Sequence, residues 1–111
     1  MDLKRGDIVV VAAPGDYGKP RPALVLQSDL FSATESVVVA LITSSQRPQA
    51  PLFRRPIMPS PISGLRHPSD VMLDKLVTLS RAKVSNAVGH LTPSEMAGIS
   101  ASLALFLGLA G

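Results

Sequence analysis

The segment "RGDIVVVAAPGDYGKPRPALVLQSD", residues 5–29, carries the pattern that decides the fold. Residues 7–13 form a short, β-branched run, and residues 22–28 form a second apolar run. The loop between them, "PGDYGKP", is dense in turn residues, and its two glycines can adopt positive φ. Two such runs separated by a turn-rich loop are typical of neighbouring strands, so we expect strands at residues 7–13 and 22–28.

The rest of the sheet follows from similar patterns. The run "VVVALITSS", residues 37–45, predicts a third strand. A strand at residues 52–57 either lies at an edge of the sheet or is irregular, because proline cannot donate a hydrogen bond to a central ladder. Residues 71–80 predict one strand, or two short strands around Asp74 and Lys75, and residues 81–91 predict one more short strand or a turn. We therefore expect a strongly bent antiparallel sheet that closes toward a small barrel.

The segment "LTPSEMAGISASLALFLGL", residues 91–109, contains the clearest helix start in the chain. Thr92 is the predicted N-cap, Pro93 the first helical residue, and Glu95 the partner in a capping box. Apolar residues fall at helical spacing on one face, at Met96, Ile99, Leu103, Phe106 and Leu107. Leu105 and Leu109 widen this surface, so the helix is either wholly buried in its own domain or partly covered by a second copy of the chain.

The composition limits the possible functions. At 111 residues with 46% hydrophobic residues, the chain predicts a single domain, residues 1–111, with one core. The absence of cysteine excludes disulfides, thiolate catalysis and Cys-ligated zinc. His67 and His90 lie far apart without ligand spacing, so we expect no metal and no other cofactor. The charged N-terminus lacks a signal-type apolar stretch, and the apolar C-terminal run is shorter than the ~20 residues of a bilayer span, which favours a cytoplasmic protein.

Basic residues are concentrated in a proline-rich segment. The formal net charge is +3, which suits an anionic partner but is also common in proteins without one. Residues 46–70 contain six of the ten prolines and no acid before Asp70. The same segment carries four arginines, Arg47, Arg54, Arg55 and Arg66. Such a segment is either an anion-binding rim beside the sheet or a solvated loop.

The tetrad "KPRP", residues 19–22, places an arginine between two prolines at the start of a strand. Pro20 and Pro22 restrict the backbone on both sides of Arg21, which lowers the entropy lost when the side chain binds. A guanidinium is permanently charged and offers a planar fork of donors that matches phosphate oxygens. Arg21 is therefore a candidate for stabilising charge on a reacting phosphate, unless "PRP" is simply a stiff entry to the strand.

These segments together resemble the MazF/PemK (Kid) toxins of bacterial type II toxin–antitoxin systems. In that family a "GDI(V/W)xV" strand leads through a glycine-containing loop to an "RPA-V-V" strand, and the third strand ends in a threonine, as in "VVVALITSS" here. The resemblance continues through "DVMLDKLVTLS" and the final helix, and is weakest over residues 46–68. It implies a mainly β fold, an SH3-like barrel with a C-terminal helix, that forms a homodimer.

The resemblance also implies an activity and partners. These toxins are sequence-specific endoribonucleases that cleave single-stranded RNA without a metal ion. The 2′-hydroxyl attacks the adjacent phosphate, leaving a 2′,3′-cyclic phosphate and a 5′-hydroxyl. A cognate antitoxin with a disordered acidic segment is expected to cover the basic groove.

By the same resemblance, the catalytic residues are Arg21, Thr43 and, as a base, Asp74. Asp74 has an alternative role as an ion-pair partner of Lys75 or Arg81, since Met72 stands where one branch of the family has an arginine. His67 is either a proton donor to the leaving oxygen or an inert loop residue. The predicted RNA-binding residues are Tyr17, Lys19, Arg47, Arg54, Arg55, Arg66 and Lys75.

Two other functions remain open from the sequence. The gyrase poison CcdB has a similar fold and acts through the end of its C-terminal helix, but this chain ends "FLGLAG" without that branch's terminal tryptophan motif. An SH3-like module that binds a protein or peptide is the other alternative, because one fold hosts many functions. The three phenylalanines and single tyrosine argue against the aromatic-lined groove that proline-rich peptides need.

Overall fold

The computed structural model describes residues 2–12, 15, 19–47 and 52–110. Within these residues, a six-stranded antiparallel sheet is followed by one C-terminal α-helix. The elements are β1 (Asp7–Val11), β2 (Arg21–Val25), β3 (Ser36–Thr43), β4 (Arg54–Ile57), β5 (Ser69–Ser80), β6 (Gly89–His90) and α1 (Pro93–Phe106). The spatial order is β4-β5-β3-β2-β1-β6, and the sheet curls into a half-barrel. The predicted mainly β fold with a C-terminal helix is confirmed.

Both faces of the curled sheet are apolar. Val9 and Val11 of β1 belong to one buried cluster, whereas Ile8 belongs to a second cluster on the other face. Met96 and Ile99 of α1 lie in the second cluster, so the helix covers that face. Successive residues of a strand point to opposite faces, which is why a continuous β-branched run such as "DIVVV" can be buried on both sides.

The strands are shorter than their apolar runs. β1 ends at Val11, and residue 13 of the predicted strand lies outside the described residues. β2 ends at Val25 rather than at Ser28, because side chains replace the ladder bonds there. Nε of Arg5 donates to the Leu26 carbonyl at 3.0 Å, and the Gln27 side-chain oxygen accepts the N–H of Val38 at 3.2 Å. β3 spans Ser36–Thr43 and so stops two residues before its predicted end. Local side-chain bonds thus end an element that hydrophobicity alone would extend.

Residues 69–80 form one strand rather than two. β5 pairs with β3 along its length, with a shift of register between Ala40 and Ile42. Between these two pairs β5 has four residues, 72–75, where β3 has one, so the ladder with β3 is interrupted there without ending β5. The polar pair Asp74 and Lys75 lies in this interruption. β4 pairs with β5 at the edge of the sheet and contains Pro56, so of the two alternatives for residues 52–57 the edge strand is confirmed, from Arg54 to Ile57.

Helix α1 begins as the sequence predicts. The Thr92 hydroxyl accepts the N–H of Glu95 at 3.1 Å, and the Glu95 carboxylate accepts the N–H of Thr92 at 2.9 Å. The predicted apolar face is only partly correct, since Phe106 and Leu107 are 46% and 48% exposed. The buried apolar residues of the helix are Met96 and Ile99, in its first half, whereas Phe106 is its last residue. The Phe106 ring contacts the ring of Phe53. Within the described residues no helix is long and apolar enough to cross a lipid bilayer.

A loop formed by residues 60–67 is docked on β6 through its backbone. The N–H of His90 in β6 donates to the Ile62 carbonyl at 3.0 Å, and within the loop the N–H of Gly64 donates to the Ser60 carbonyl at 3.1 Å. A Cβ at Gly89 would overlap the Ser63 carbonyl oxygen, and a Cβ at Gly64 would overlap the Val88 carbonyl oxygen. Two glycines therefore allow an approach of the two segments that no other residue permits.

We predict that Gly89→Ala destabilises the protein by about 1–3 kcal/mol, because the added methyl group must push the loop away from β6. The comparison variant is Asn86→Ala, which changes an exposed residue of the same segment. Urea denaturation of both variants measures the difference. Equal midpoints for the two variants would show that the loop docks without needing this close approach.

Candidate active site

One end of the sheet brings together residues that are distant in the sequence. The strand register pairs Val11 with Arg21 and Thr43 with Asp70. The pair of β2 and β3 residues nearest this end is Ala23 with Leu41. If the same register is continued by two residues, Arg21 lies opposite Thr43. Val11, Arg21, Thr43 and Asp70 therefore form one row across β1, β2, β3 and β5, which we call the end row.

An open groove of about 690 Å³ lies beside the end row. Its basic lining residues are Lys19, Arg21 and Arg66, and its polar ones are Thr43, Ser44, His67 and Ser69. The remaining lining residues are Val10, Pro20, Pro22, Ile42, Gly64, Leu65 and Val88. None of these described lining residues is an acid, so the local charge favours an anionic ligand.

Arg21 is the first residue of β2 and is half-buried. Pro20 and Pro22, on either side of it, also line the groove. Their rings restrict the backbone conformation next to Arg21, at the point where its side chain borders the groove. The ladder with Val11 of β1 fixes the strand at the same point. A guanidinium held in this way can bind two oxygens of one phosphate with little loss of conformational freedom.

Thr43 is the last residue of β3 and lines the same groove. Its hydroxyl oxygen accepts the N–H of Ser45 at 3.1 Å, which turns the chain after the strand. Because a hydroxyl has one proton to donate, this bond leaves that proton available to a phosphate oxygen. The hydroxyl is too weak a base to remove a proton from a ligand by itself.

Asp70 completes the end row and was not among the predicted site residues. Its side chain is buried, with 3% exposed, and it accepts the backbone N–H of Arg47 at 2.9 Å and the side-chain amide of Gln46 at 3.3 Å. It therefore fixes the segment that follows Thr43. One feature of the sequence could have indicated this role: Asp70 is the first acid after the long basic segment. A buried carboxylate needs hydrogen-bond donors, and the backbone N–H of Arg47, in that segment, supplies one.

The docked loop, residues 60–67, supplies the other wall of the groove. Leu65, Arg66 and His67 line it, and the Ser69 hydroxyl donates to the His67 carbonyl at 2.9 Å. The sequence predicted Arg66 as an RNA-binding residue and left His67 open. That this loop meets the ends of β2 and β3 depends on its contacts with β6, which local sequence patterns do not reveal.

Asp74 lies elsewhere on β5. It is four residues along the strand from Asp70, a distance of roughly 13 Å, and it is not among the groove-lining residues. Its carboxylate oxygen Oδ1 is 3.9 Å from Nε of Arg54, and both side chains are largely buried. The partner is thus Arg54 rather than the predicted Lys75 or Arg81. Arg81 instead donates to the carbonyls of Thr34 and Phe31.

The other predicted RNA-binding residues divide between the groove and other surfaces. Lys19 lines the groove, whereas Arg47 is exposed near it, with its backbone bonded to Asp70. The guanidinium of Arg55 lies against Gly98 of α1, and Lys75 is exposed on β5. Tyr17 lies outside the described residues. The groove thus brings together Lys19, Arg21, Thr43 and Arg66, but not Arg54, Arg55, Asp74 or Lys75.

Similarity to known proteins covers nearly the whole chain. Residues 4–107 match the family model of the PemK-like, MazF-like toxin of type II toxin–antitoxin systems. A curated relative, the probable endoribonuclease MazF of Mycolicibacterium smegmatis, is 44% identical over 110 residues, which are 98% of this chain and 100% of the relative.

Solved structures have the same fold at lower identity. A mycobacterial endoribonuclease in complex with its cognate antitoxin superposes with a TM-score of 0.79, at 23% identity and 98% coverage of both chains. The Mycobacterium tuberculosis toxin MazF-mt6 superposes with a TM-score of 0.77, at 23% identity, covering 94% of this chain and 99% of its own. MazF in a MazE–MazF structure from Deinococcus radiodurans gives a TM-score of 0.75 at 18% identity, covering 99% of this chain and 100% of its own.

We predict that Asp70→Ala destabilises the protein by about 1–3 kcal/mol, because the N–H of Arg47 loses its buried acceptor. Asp2→Ala removes the same charge from an exposed position and serves as the control. Urea denaturation at neutral pH compares the two. If Asp70→Ala unfolds at the same urea concentration as Asp2→Ala, Asp70 does not anchor the segment after Thr43.

Proposed function

This chain belongs to the family of PemK-like, MazF-like toxins of type II toxin–antitoxin systems, and we propose that its groove is where it cleaves single-stranded RNA. Its function is that of the endoribonuclease toxin of such a system. The observation that carries the proposed site is that Arg21, at the start of β2, and Thr43, at the end of β3, line one groove. Within the described residues, no acid lines that groove.

The proposed reaction is an internal transesterification of RNA. The 2′-hydroxyl attacks its own 3′-phosphate, and the products carry a 2′,3′-cyclic phosphate and a 5′-hydroxyl. The phosphate gathers negative charge on its oxygens as it passes through a five-coordinate state. Arg21 supports this step because its guanidinium can bind two of those oxygens, and Thr43 supports it because its free proton can be donated to one.

The lining residues support cleavage without a metal ion. Mg²⁺ is usually held by carboxylates, and none lines the groove within the described part of the chain. Three basic side chains, those of Lys19, Arg21 and Arg66, line the groove and supply positive charge where a metal ion would otherwise do so. Lys19 and Arg66 contact phosphates on either side of the cleaved one and contribute affinity rather than sequence choice. Sequence preference then comes from base contacts with the loops that border the groove.

The partners follow from the family. The toxin acts with a cognate antitoxin, as in the mycobacterial and Deinococcus complexes that share this fold. It also forms a homodimer, and the exposed apolar residues at the end of α1 and beside it offer surface for that contact, namely Leu52, Leu105, Phe106, Leu107 and Leu109. We place the activity in the cytoplasm, where the RNA substrate is found.

We predict that Arg21→Ala lowers RNA cleavage in EDTA by at least about 100-fold, because the developing charge loses its permanent cation. Lys83→Ala removes one positive charge from an exposed site outside the groove and is the control. The rate is measured on a long single-stranded RNA, and the cut ends are tested for 5′-hydroxyls by direct kinase labelling. Equal activity of both variants would exclude Arg21 from the site, and EDTA-sensitive cleavage would exclude the metal-free reaction.

Thr43→Val keeps the shape of the side chain and removes its hydroxyl. We expect cleavage to fall by about 10-fold to 100-fold, the loss that accompanies one hydrogen bond to a charged group. Thr78→Val makes the same change at an exposed position of β5 and controls for the substitution itself. The measurement is the single-turnover rate at saturating protein. A loss confined to RNA affinity, with an unchanged rate, would contradict a role in the chemical step.

A further inference from the structure

The proposed reaction leaves one proton without a source. When the bond between phosphorus and the 5′-oxygen breaks, that oxygen departs as an alkoxide unless it receives a proton in the same step. A positioned acid typically speeds such a step by about 10²- to 10⁴-fold, and it works best when its pKa lies near the operating pH. The group must also lie in the groove that holds Arg21 and Thr43.

The lining residues differ sharply in their ability to meet this requirement. Arginine keeps its protons throughout the physiological range, and serine and threonine hydroxyls are very weak acids. A lysine gives up its proton far less readily than an imidazolium does at neutral pH. Histidine is the side chain that both gives and regains a proton under these conditions. Within the described lining of the groove there is one histidine, His67.

The backbone of His67 is held on its C-terminal side. The Ser69 hydroxyl donates to its carbonyl at 2.9 Å, and Pro68 restricts its conformation toward extended backbone. The loop that carries it is docked on β6 through the N–H of His90 and the close approach at Gly89. The imidazole itself is exposed, so it can reach a ligand in the groove and can be reprotonated by solvent. The residue is thus positioned by the fold and is not needed for the core.

We propose that His67 is the general acid of this ribonuclease, an inference that rests on the proposed function. The 2′-oxygen forms a bond to phosphorus and releases its proton to water. The bond from phosphorus to the 5′-oxygen breaks, and that oxygen takes a proton from the His67 imidazolium to become the 5′-hydroxyl. Neutral imidazole then regains a proton from water. Arg21 and Thr43 hold the phosphate oxygens while His67, on the loop wall of the groove, serves the leaving group.

The test compares two leaving groups. Cleavage of a long RNA first maps a cut site, and a short oligonucleotide around it is made with oxygen or with sulfur as the bridging 5′ atom. A thiolate leaves without needing a proton. His67→Gln is therefore expected to cleave the oxygen substrate at least about 100-fold more slowly than the unchanged protein, and the sulfur substrate at nearly the same rate. His90→Gln, at the exposed histidine outside the groove, is expected to change neither rate.

The outcomes separate this assignment from the proposed function. The assignment is wrong if His67→Gln matches His90→Gln on the oxygen substrate, or if it loses activity equally on both substrates, as a loss of binding or folding would cause. Slow cleavage by Lys19→Ala that sulfur restores, with His67→Gln unaffected, would give the role to Lys19 instead. If the unchanged protein cuts no RNA to 5′-hydroxyl ends, the proposed function fails, and the role of His67 fails with it.

Discussion

The register of the antiparallel sheet is the constraint on which the site depends. A slip of one residue between two strands would send every side chain of one strand to the opposite face. Buried residues on both faces of the sheet, such as Val39 in one cluster and Ala40 in the other, make such a slip costly. Because the core fixes the register, it also brings the start of β2, with Arg21, and the end of β3, with Thr43, to the same end of the sheet. The same burial that stabilises the fold therefore positions the functional groups.

Much of the fold was predictable because its signals are local. The capping box of Thr92 and Glu95, the edge strand with Pro56 and the β-branched runs each depend on residues near one another in the chain. The predicted pair Arg21 and Thr43 came from family resemblance, and the register now gives a physical reason why two segments about twenty residues apart meet. Strand ends were less predictable, since single side-chain bonds, such as that from the N–H of Val38 to Gln27, replace the ladder there.

The contacts that the sequence did not reveal are the long-range ones between polar groups. Asp74 had two candidate partners near it in sequence, yet it faces Arg54 on the neighbouring strand, at 3.9 Å. The guanidinium of Arg55 similarly lies against Gly98 of the helix. Both arginines were grouped with the groove because they belong to the same basic segment. Successive side chains of β4 point to opposite faces, so Arg54 and Arg55 contact different parts of the protein and neither lines the groove. Only the three-dimensional arrangement shows which charges share a surface.

The distribution of acids explains how a modest net charge of +3 can produce a strongly basic groove. Several carboxylates accept backbone N–H groups and are not among the groove-lining residues, namely those of Asp7, Asp29, Asp70 and Glu95. In these positions each acid stabilises a turn, a strand end or a helix start while its charge faces the protein's own backbone. Lys19, Arg21 and Arg66 are left to set the potential in the groove, where no described lining residue opposes them. Local capping and RNA binding are thus linked, because an acid that holds the backbone outside the groove lining opposes the phosphate chain less than an acid in the lining would.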